Sequence, residues 1–188
     1  MILPIVAYGD PVLRKECEEI DANYPNLKTL IDNMYETMYA SHGVGLAAPQ
    51  IGLPIRLFVV DTTPFAEDEK DPLFGFKRTF INAYIIEEEG DSWDFEEGCL
   101  SIPGIREKVS RDSDIMLEYQ DENFEILTER YDGLLARVIQ HEHDHTDGIL
   151  FVDHLSALRR NLLKKRLIQI SLGMVQHDYK MRFPKKRR

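Results

Sequence analysis

The sequence predicts one α+β domain in which antiparallel or mixed β-sheets pack around a central helix carrying His-Glu-x-x-His, with an N-terminal and a C-terminal helix. Three observations predict it. β-Branched and aromatic runs at 55–61, 79–86, 114–120 and 124–130 have strand length and strand composition. Three other stretches, near 27–43, 132–148 and 156–174, space their apolar residues at the helical period. The chain has 188 residues, 43% of them hydrophobic, which fills one core without requiring a second. The domain is therefore read as 1–188, with an amphipathic helix at 156–174 followed by a basic tail at 175–188.

Each element has its own justification. Leu27, Leu30, Ile31, Met34 and Met38 form a helical stripe that ends near Gly43. Gly43-Val44-Gly45-Leu46-Ala47-Ala48-Pro49-Gln50 is glycine-rich, but it follows a helix and lacks the Lys-Ser/Thr ending of a phosphate loop, so a plain connection accounts for it. Ile55–Asp61 reads as a buried strand and Thr62–Lys77, rich in charge and proline, as a surface loop. Thr79–Ile86 is a further strand. Glu96–Pro103 is a short strand-like segment interrupted by Gly98, where the backbone can approach something closely. Asp114–Gln120 and Phe124–Arg130 make a hairpin about Asp121-Glu122-Asn123. In the next helix Leu134, Val138, His141 and His145 share one stripe, and Leu135, Ile139 and Glu142 share its neighbour. Asp132 is the expected N-cap and Gly148 the stop. Leu158, Leu162, Leu163, Leu167 and Ile170 mark the terminal helix.

The chemistry is concentrated in His141-Glu142-His143-Asp144-His145. Residues four apart share a helix face, so His141 and His145 can close on one ion, while Glu142, turned about 100° away, reaches a water on that ion. His143 points away and is expected in solvent. Two ligands are too few for a catalytic site, which takes three and leaves a fourth position open. A third histidine at the metzincin spacing is absent, because Phe151 stands there, and no glutamate follows Glu142 to complete a thermolysin-like set. Asp147, Asp153 and His154 remain as nearby candidates, with turn capping as their plain alternative. Upstream there are two cysteines. Cys17 sits among four charges, three of them acidic, and is read as a bystander. Cys99 alone would be a small buried residue. Beside an incomplete His-Glu-x-x-His site it becomes the leading candidate.

Three segments, Gly43–Gln50, Glu97-Gly98-Cys99-Leu100-Ser101 and Gln140–Gly148, together resemble the peptide deformylase family, and the similarity runs from Ile5-x-x-Tyr8-Gly9-Asp10-Pro11-Val12-Leu13 to Asp153. Thr146 departs from the family's leucine and is expected to alter packing beneath the helix. The resemblance implies a metal-dependent hydrolase that removes the formyl group from N-formylmethionine at the start of nascent polypeptides. Cys99, His141 and His145 would bind one divalent metal ion, Fe(II) as the physiological ion, with Zn(II) or Ni(II) found in many preparations. Glu142 would be the general base; Gln50 and the Leu100 N–H would stabilise the oxyanion. Gly43, Val44 and Gly45 would receive the extended peptide, Leu134 and Val138 would line the methionine pocket, and Glu97 and Arg106 would support the site. The helical C-terminus matches the bacterial form of the family.

Composition and charge bound the partners. No window is long and apolar enough to span a membrane, no signal segment is evident, and the two dissimilar cysteines do not suggest a disulfide, so a cytoplasmic monomer is expected. Residues 156–188 hold 11 Lys or Arg against one acidic residue, whereas 1–155 hold 12 against 32. The basic end is read as a ribosome-docking region without sequence-specific nucleic-acid contacts; truncation after Gly173, or charge reversal at Lys164, Lys165 and Arg166, is expected to spare hydrolysis. Two rivals are kept. A metallopeptidase would cleave unformylated peptides, and an RNA-binding module would close a structural metal with His154 or Asp147.

Overall fold

The structure is a computed structural model that describes residues 1–71 and 73–184; the expected basic end at 185–188 lies outside the described residues. The elements in chain order are β1 (Ile5–Val6), α1 (Leu27–Ala40), β2 (Gly45–Ala47), β3 (Leu57–Asp61), β4 (Lys77–Glu89), β5 (Trp93–Cys99), β6 (Ile102–Arg111), β7 (Asp114–Gln120), β8 (Ile126–Asp132), α2 (Gly133–Thr146), α3 (Ala157–Ser171) and β9 (Met181–Arg182), with short 3₁₀ turns between them. An antiparallel five-stranded sheet runs in the order β2-β3-β4-β7-β8. β5 and β6 form a separate antiparallel hairpin, and β1 pairs in parallel with β9. The arrangement is α+β with three α-helices among the described residues.

β3 explains why its sequence reads as continuously apolar. Successive side chains point to opposite faces of a strand. Leu57 and Val59 join Ile31, Met34 and Met38 of α1 in one cluster, whereas Phe58 and Val60 join Ala136 and Ile139 of α2 in another. The sheet is thus covered by α1 on one face and α2 on the other. α2 packs against β2, β3 and β8. A third cluster packs Leu163, Leu167 and Ile170 of α3 against Ile102, Ile105, Val109 and Phe151.

Several boundaries moved for physical reasons. The strand expected from Phe124 begins at Ile126, because the Asp121 carboxylate accepts the Asn123 and Glu125 N–H groups and Phe124 takes φ +62°, which prolongs the turn. Asp132 sits at the N-cap of α2, yet its side chain makes no capping bond. Gly148 does end the helix: its φ is +73°, and a Cβ there would lie 2.8 Å from the Arg14 carbonyl carbon. On α3, Leu158 and Leu162 are exposed rather than buried, since the face toward β6 is filled by Leu163 and Leu167. Residues 175–184 turn back onto the body, where Val175, Met181 and Phe183 join the third cluster.

Candidate metal centre

Two elements bring the candidate ligands together. His141 and His145 lie on one face of α2, with ring centroids 5.1 Å apart, and Cys99 ends β5. One ligand atom from each of Cys99, His141 and His145 falls within 4.8 Å of the other two, and Cys99 Sγ is 3.3 Å from His145 Nε2. The β5–β6 register breaks between Gly98 and Cys99, which lifts Cys99 out of the regular hairpin. Arg106 lies across Gly98, its Nε 3.1 Å from Glu96 Oε2 and its Nη2 3.1 Å from the Glu96 carbonyl oxygen.

Behind the pair lies a buried ionic network. Glu97, 4% exposed, accepts from Arg111 Nε at 2.8 Å, from Arg111 Nη2 at 3.1 Å and from Arg137 Nη1 at 3.1 Å, and it meets His141 Nδ1 at 2.9 Å. Engaging Nδ1 leaves Nε2 of His141 as the ring nitrogen for a metal, the arrangement that orients ligating imidazoles. Arg111 continues to Asp144 (2.8 Å), which His154 meets in turn (2.7 Å). Removing one member of such a buried set costs about 3–5 kcal/mol, because its partners stay charged and unpaired. Burial opposes ionisation of Glu97, but the hydrogen bonds from His141 and Arg111 override it and hold the carboxyl well below its usual range.

The site's charge suits a cation. Burial disfavours the Cys99 thiolate, yet attraction to His145 and hydrogen bonds with both histidines outweigh it and bring the thiol down to about 5. Glu142 behaves oppositely: burial pushes its carboxyl up to about 7 against the pull of His141 and His145. Its Oε2 is buried with no hydrogen-bond partner, and so is His145 Nδ1. Two imidazoles and a thiolate that converge beside an unpaired carboxylate fit a first-row divalent ion.

A cavity of about 430 Å³ opens onto this group. Gly43, Val44 and Gly45 line one side, and Val138, Phe95 and Ile102 supply apolar surface. Gln50 is 1% exposed; its Oε1 accepts the Ala47 N–H (2.8 Å), which turns Nε2 toward Cys99 Sγ at 3.4 Å. Leu100 also borders the cavity, its side chain close to Gly43. A Cβ on Gly45 would lie 2.5 Å from Glu142 Oε1, so only glycine leaves the carboxylate in place. Gly45→Ala should therefore displace Glu142 and lower turnover by about 10²-fold with metal content intact. Unchanged turnover in a metal-assayed variant would refute the crowding argument.

Some expectations need correction. Leu134 does not line the cavity: seven residues before His141 place it roughly 10 Å along the helix axis. His143 is buried rather than solvated, because Asp147 and Arg56 cover it; its Nδ1 is 3.6 Å from Asp147. Thr146, fully buried, accepts from Arg56 Nη1 at 3.1 Å, so a hydroxyl replaces an apolar contact with a polar one. Asp147 pairs with Arg56 and Asp153 with Arg14, while Asp153 also caps Leu150 N; with His154 on Asp144, none of the three joins the ligand group. Cys17 is buried away from it, and burial pushes its thiol up to about 11. Sequence reasoning missed Arg111, Arg137 and Asp144. Arg111 shares strand parity with the buried Ile105, Glu107 and Val109, a signal that could have found it. It also missed Phe65 and residues 176–179, which line the cavity, so truncation after Gly173 is not neutral for the site.

Comparison with known proteins agrees with this geometry. The polypeptide deformylase family profile matches residues 2–161. The chain is similar to a peptide deformylase of Christiangramia forsetii, 57% identical over 190 aligned residues that cover 98% of this chain and 97% of that one. A peptide deformylase of Flavobacterium johnsoniae is 58% identical over 189 residues, covering 97% and 96%. Among solved structures, a peptide deformylase from Legionella pneumophila superposes with a TM-score of 0.79 at 36% identity, covering 92% of this chain and 97% of that one. One from Thermotoga maritima gives 0.74 at 39% identity, covering 83% and 99%.

Proposed function

The chain belongs to the polypeptide deformylase family, and from that membership we propose that it hydrolyses the formyl amide of N-formylmethionine at the start of nascent polypeptides. The observation that carries the reading is the unpaired, buried Glu142 carboxylate facing a cavity beside Cys99, His141 and His145. Those three residues would hold one divalent ion, which we assign as Fe(II) in the cell, with Zn(II) or Ni(II) able to use the same donors. A bound ion supplies Lewis acidity, polarising a carbonyl and acidifying water.

The chain's own groups do the rest. Glu142 accepts the proton of the attacking water and delivers it to the departing amine nitrogen. Gln50 Nε2 and the Leu100 N–H donate to the carbonyl oxygen as it gains charge, each worth about 2.7 to 4 kcal/mol in the transition state. Glu97 fixes His141, and Arg106 orders the Cys99 segment. The peptide adds along β2, an edge strand of the five-stranded sheet whose Gly45 borders the cavity. The methionine side chain enters the apolar part bounded by Val138, Phe95 and Ile102. In this reading 1–188 is one cytoplasmic, monomeric catalytic domain with α2 at its centre.

Release of formate from formyl-Met-Ala-Ser, with metal analysis on the same sample, tests the proposal. A fully loaded protein that releases none rejects it, and cleavage of unformylated peptides instead would point to a metallopeptidase.

We also assign ribosome docking to the basic face of α3, where Arg160, Lys164 and Lys165 are exposed and Arg159 and Arg166 are engaged by Glu107 and the Gly104 carbonyl. Lys164→Glu with Lys165→Glu should weaken ribosome binding and flatten its salt dependence by a slope of about 2, while formate release stays unchanged. Equal affinity and equal salt slope would leave α3 as an ordinary solvated helix.

A further inference from the structure

We propose that the segment after α3 belongs to the active site: Gln176–Tyr179 wall the cleft on the side facing β2, and Tyr179 is a positioning residue that holds the Cys99–Ser101 turn. The inference rests on the deformylase reading and deepens it. The cavity that opens onto the candidate ligands is lined by both His42–Gly45 and Gln176, His177, Asp178 and Tyr179. The two stretches approach at the rim, where His42 Nε2 and Asp178 Oδ2 are 4.0 Å apart.

The wall is anchored on both sides of its span. Before it, Val175 packs into the cluster beneath α3. After it, Ile5 N donates to Lys180 O at 2.8 Å and Ala7 N to Arg182 O at 2.9 Å, and Met181 and Phe183 enter the same cluster. Apolar packing at both ends and backbone pairing with β1 after it make it a fixed part of the cleft.

Its contacts fall on Leu100, one of the two groups that would stabilise the oxyanion, and on Gly52, two residues after the other. Leu100 and Ser101 form the turn between β5 and β6, where the ladder has lost its register, so the turn needs support from outside the hairpin. Ser101 O accepts from Tyr8 N at 2.8 Å, and Leu100 O accepts from the Tyr179 hydroxyl at 2.7 Å. The second bond fixes the Leu100–Ser101 peptide plane, and the Leu100 N–H, one Cα away in the preceding plane, loses that fixed point when the bond is removed. Arg182 lies over Gly52, two residues after Gln50, where a Cβ would collide with its guanidinium. One short segment thus braces the turn that carries Leu100 and the turn that follows Gln50.

A donor whose bond strengthens only in the transition state affects kcat rather than KM. Tyr179→Phe removes one oxygen and keeps the ring. We expect its kcat on formyl-Met-Ala-Ser, normalised to bound metal, to fall roughly three- to tenfold, with KM within about twofold. Metal content should be unchanged, and hydrogen exchange across 98–103 should quicken. Wild-type kcat with wild-type exchange would overturn the positioning role. Independently, saturating the unmutated, metal-loaded protein with the product Met-Ala-Ser should slow exchange at 175–180; no protection there would overturn the wall. Should the unmutated protein release no formate at all, the deformylase reading falls, while the exchange of 98–103 in Tyr179→Phe still decides whether Tyr179 holds the turn.

Discussion

Cys99→Ala should lose its metal and its activity together, whereas Cys17→Ala should keep both. Removing the Cys99 thiolate leaves two imidazoles, fewer than the three protein ligands a catalytic site uses. The loss should exceed the roughly 10- to 100-fold that follows when only a partner behind a ligand is removed. The thiol lies at about 5, so at neutral pH it is already ionised and a metal need displace no proton from it. The His141 imidazole, which burial would discharge but Cys99 and Glu97 hold protonated above its usual range, must instead give up its proton to the ion, so affinity should fall steadily as pH drops. Cys17 is held protonated by burial and lies outside the ligand group. Metal stoichiometry after gel filtration, read beside formate release, checks both variants. A Cys99→Ala protein with one tightly bound ion would end the assignment.

Glu142→Gln should keep the ion and lose turnover by about 10² to 10⁴, the range for a positioned acid-base group. The amide has nearly the carboxylate's shape, so it preserves packing while removing the base. In the folded protein burial raises the carboxyl above its unfolded value to about 7, and the base works only when ionised. The rate should fall as pH drops through this group's pKa, and because a bound cation favours the anion, the acid limb of kcat/KM should lie at or below pH 7. For the same reason ionised Glu142 destabilises the metal-free fold: the cost is absent below about 4.5, grows between there and about 7, and is complete above. Glu142→Gln should consequently raise the melting temperature of metal-free protein near pH 8. Near wild-type turnover in a loaded Glu142→Gln enzyme would remove Glu142 from its role, and an acid limb well above pH 7 would contradict the electrostatics.

Burial opposes ionisation of both Cys99 and Glu142, yet the two end in opposite states. Cys99 and Glu142 occupy the same buried site beside the same two histidines, yet one is held as an anion and the other resists becoming one. The difference lies in contact. Cys99 touches His145 Nε2 directly, whereas Glu142 Oε2 has no donor within reach. A group that binds a cation is thereby charged in advance, and a group that must take a proton is kept able to do so.

Short-range periodicity was legible in the chain before any contact was known. The spacing of His141 and His145 places two candidate ligands on one helix face, Ile55–Asp61 reads as a buried strand, and the stripe from Leu27 to Met38 reads as a helix; each follows from local composition and from the short repeats of the backbone. Only the tertiary structure decided which residues meet those elements. Cys99 lies 42 positions before His141, and nothing in its own segment says that β5 delivers it there. Arg137 and Asp144 carry no local sign of their role, because their compensation comes from Glu97 and His154 on other elements. His143 was read as solvated and is buried, since the helix repeat gives a side chain's direction but not what packs against it. The segment after α3 carries the same lesson: it interleaves Val175, Met181 and Phe183 with Asp178, Lys180 and Arg182, and its place against Leu100 comes from pairing with β1 at the opposite end of the chain. Local repeats fix direction along a chain, whereas burial and pairing depend on surfaces that residues far apart in sequence create together.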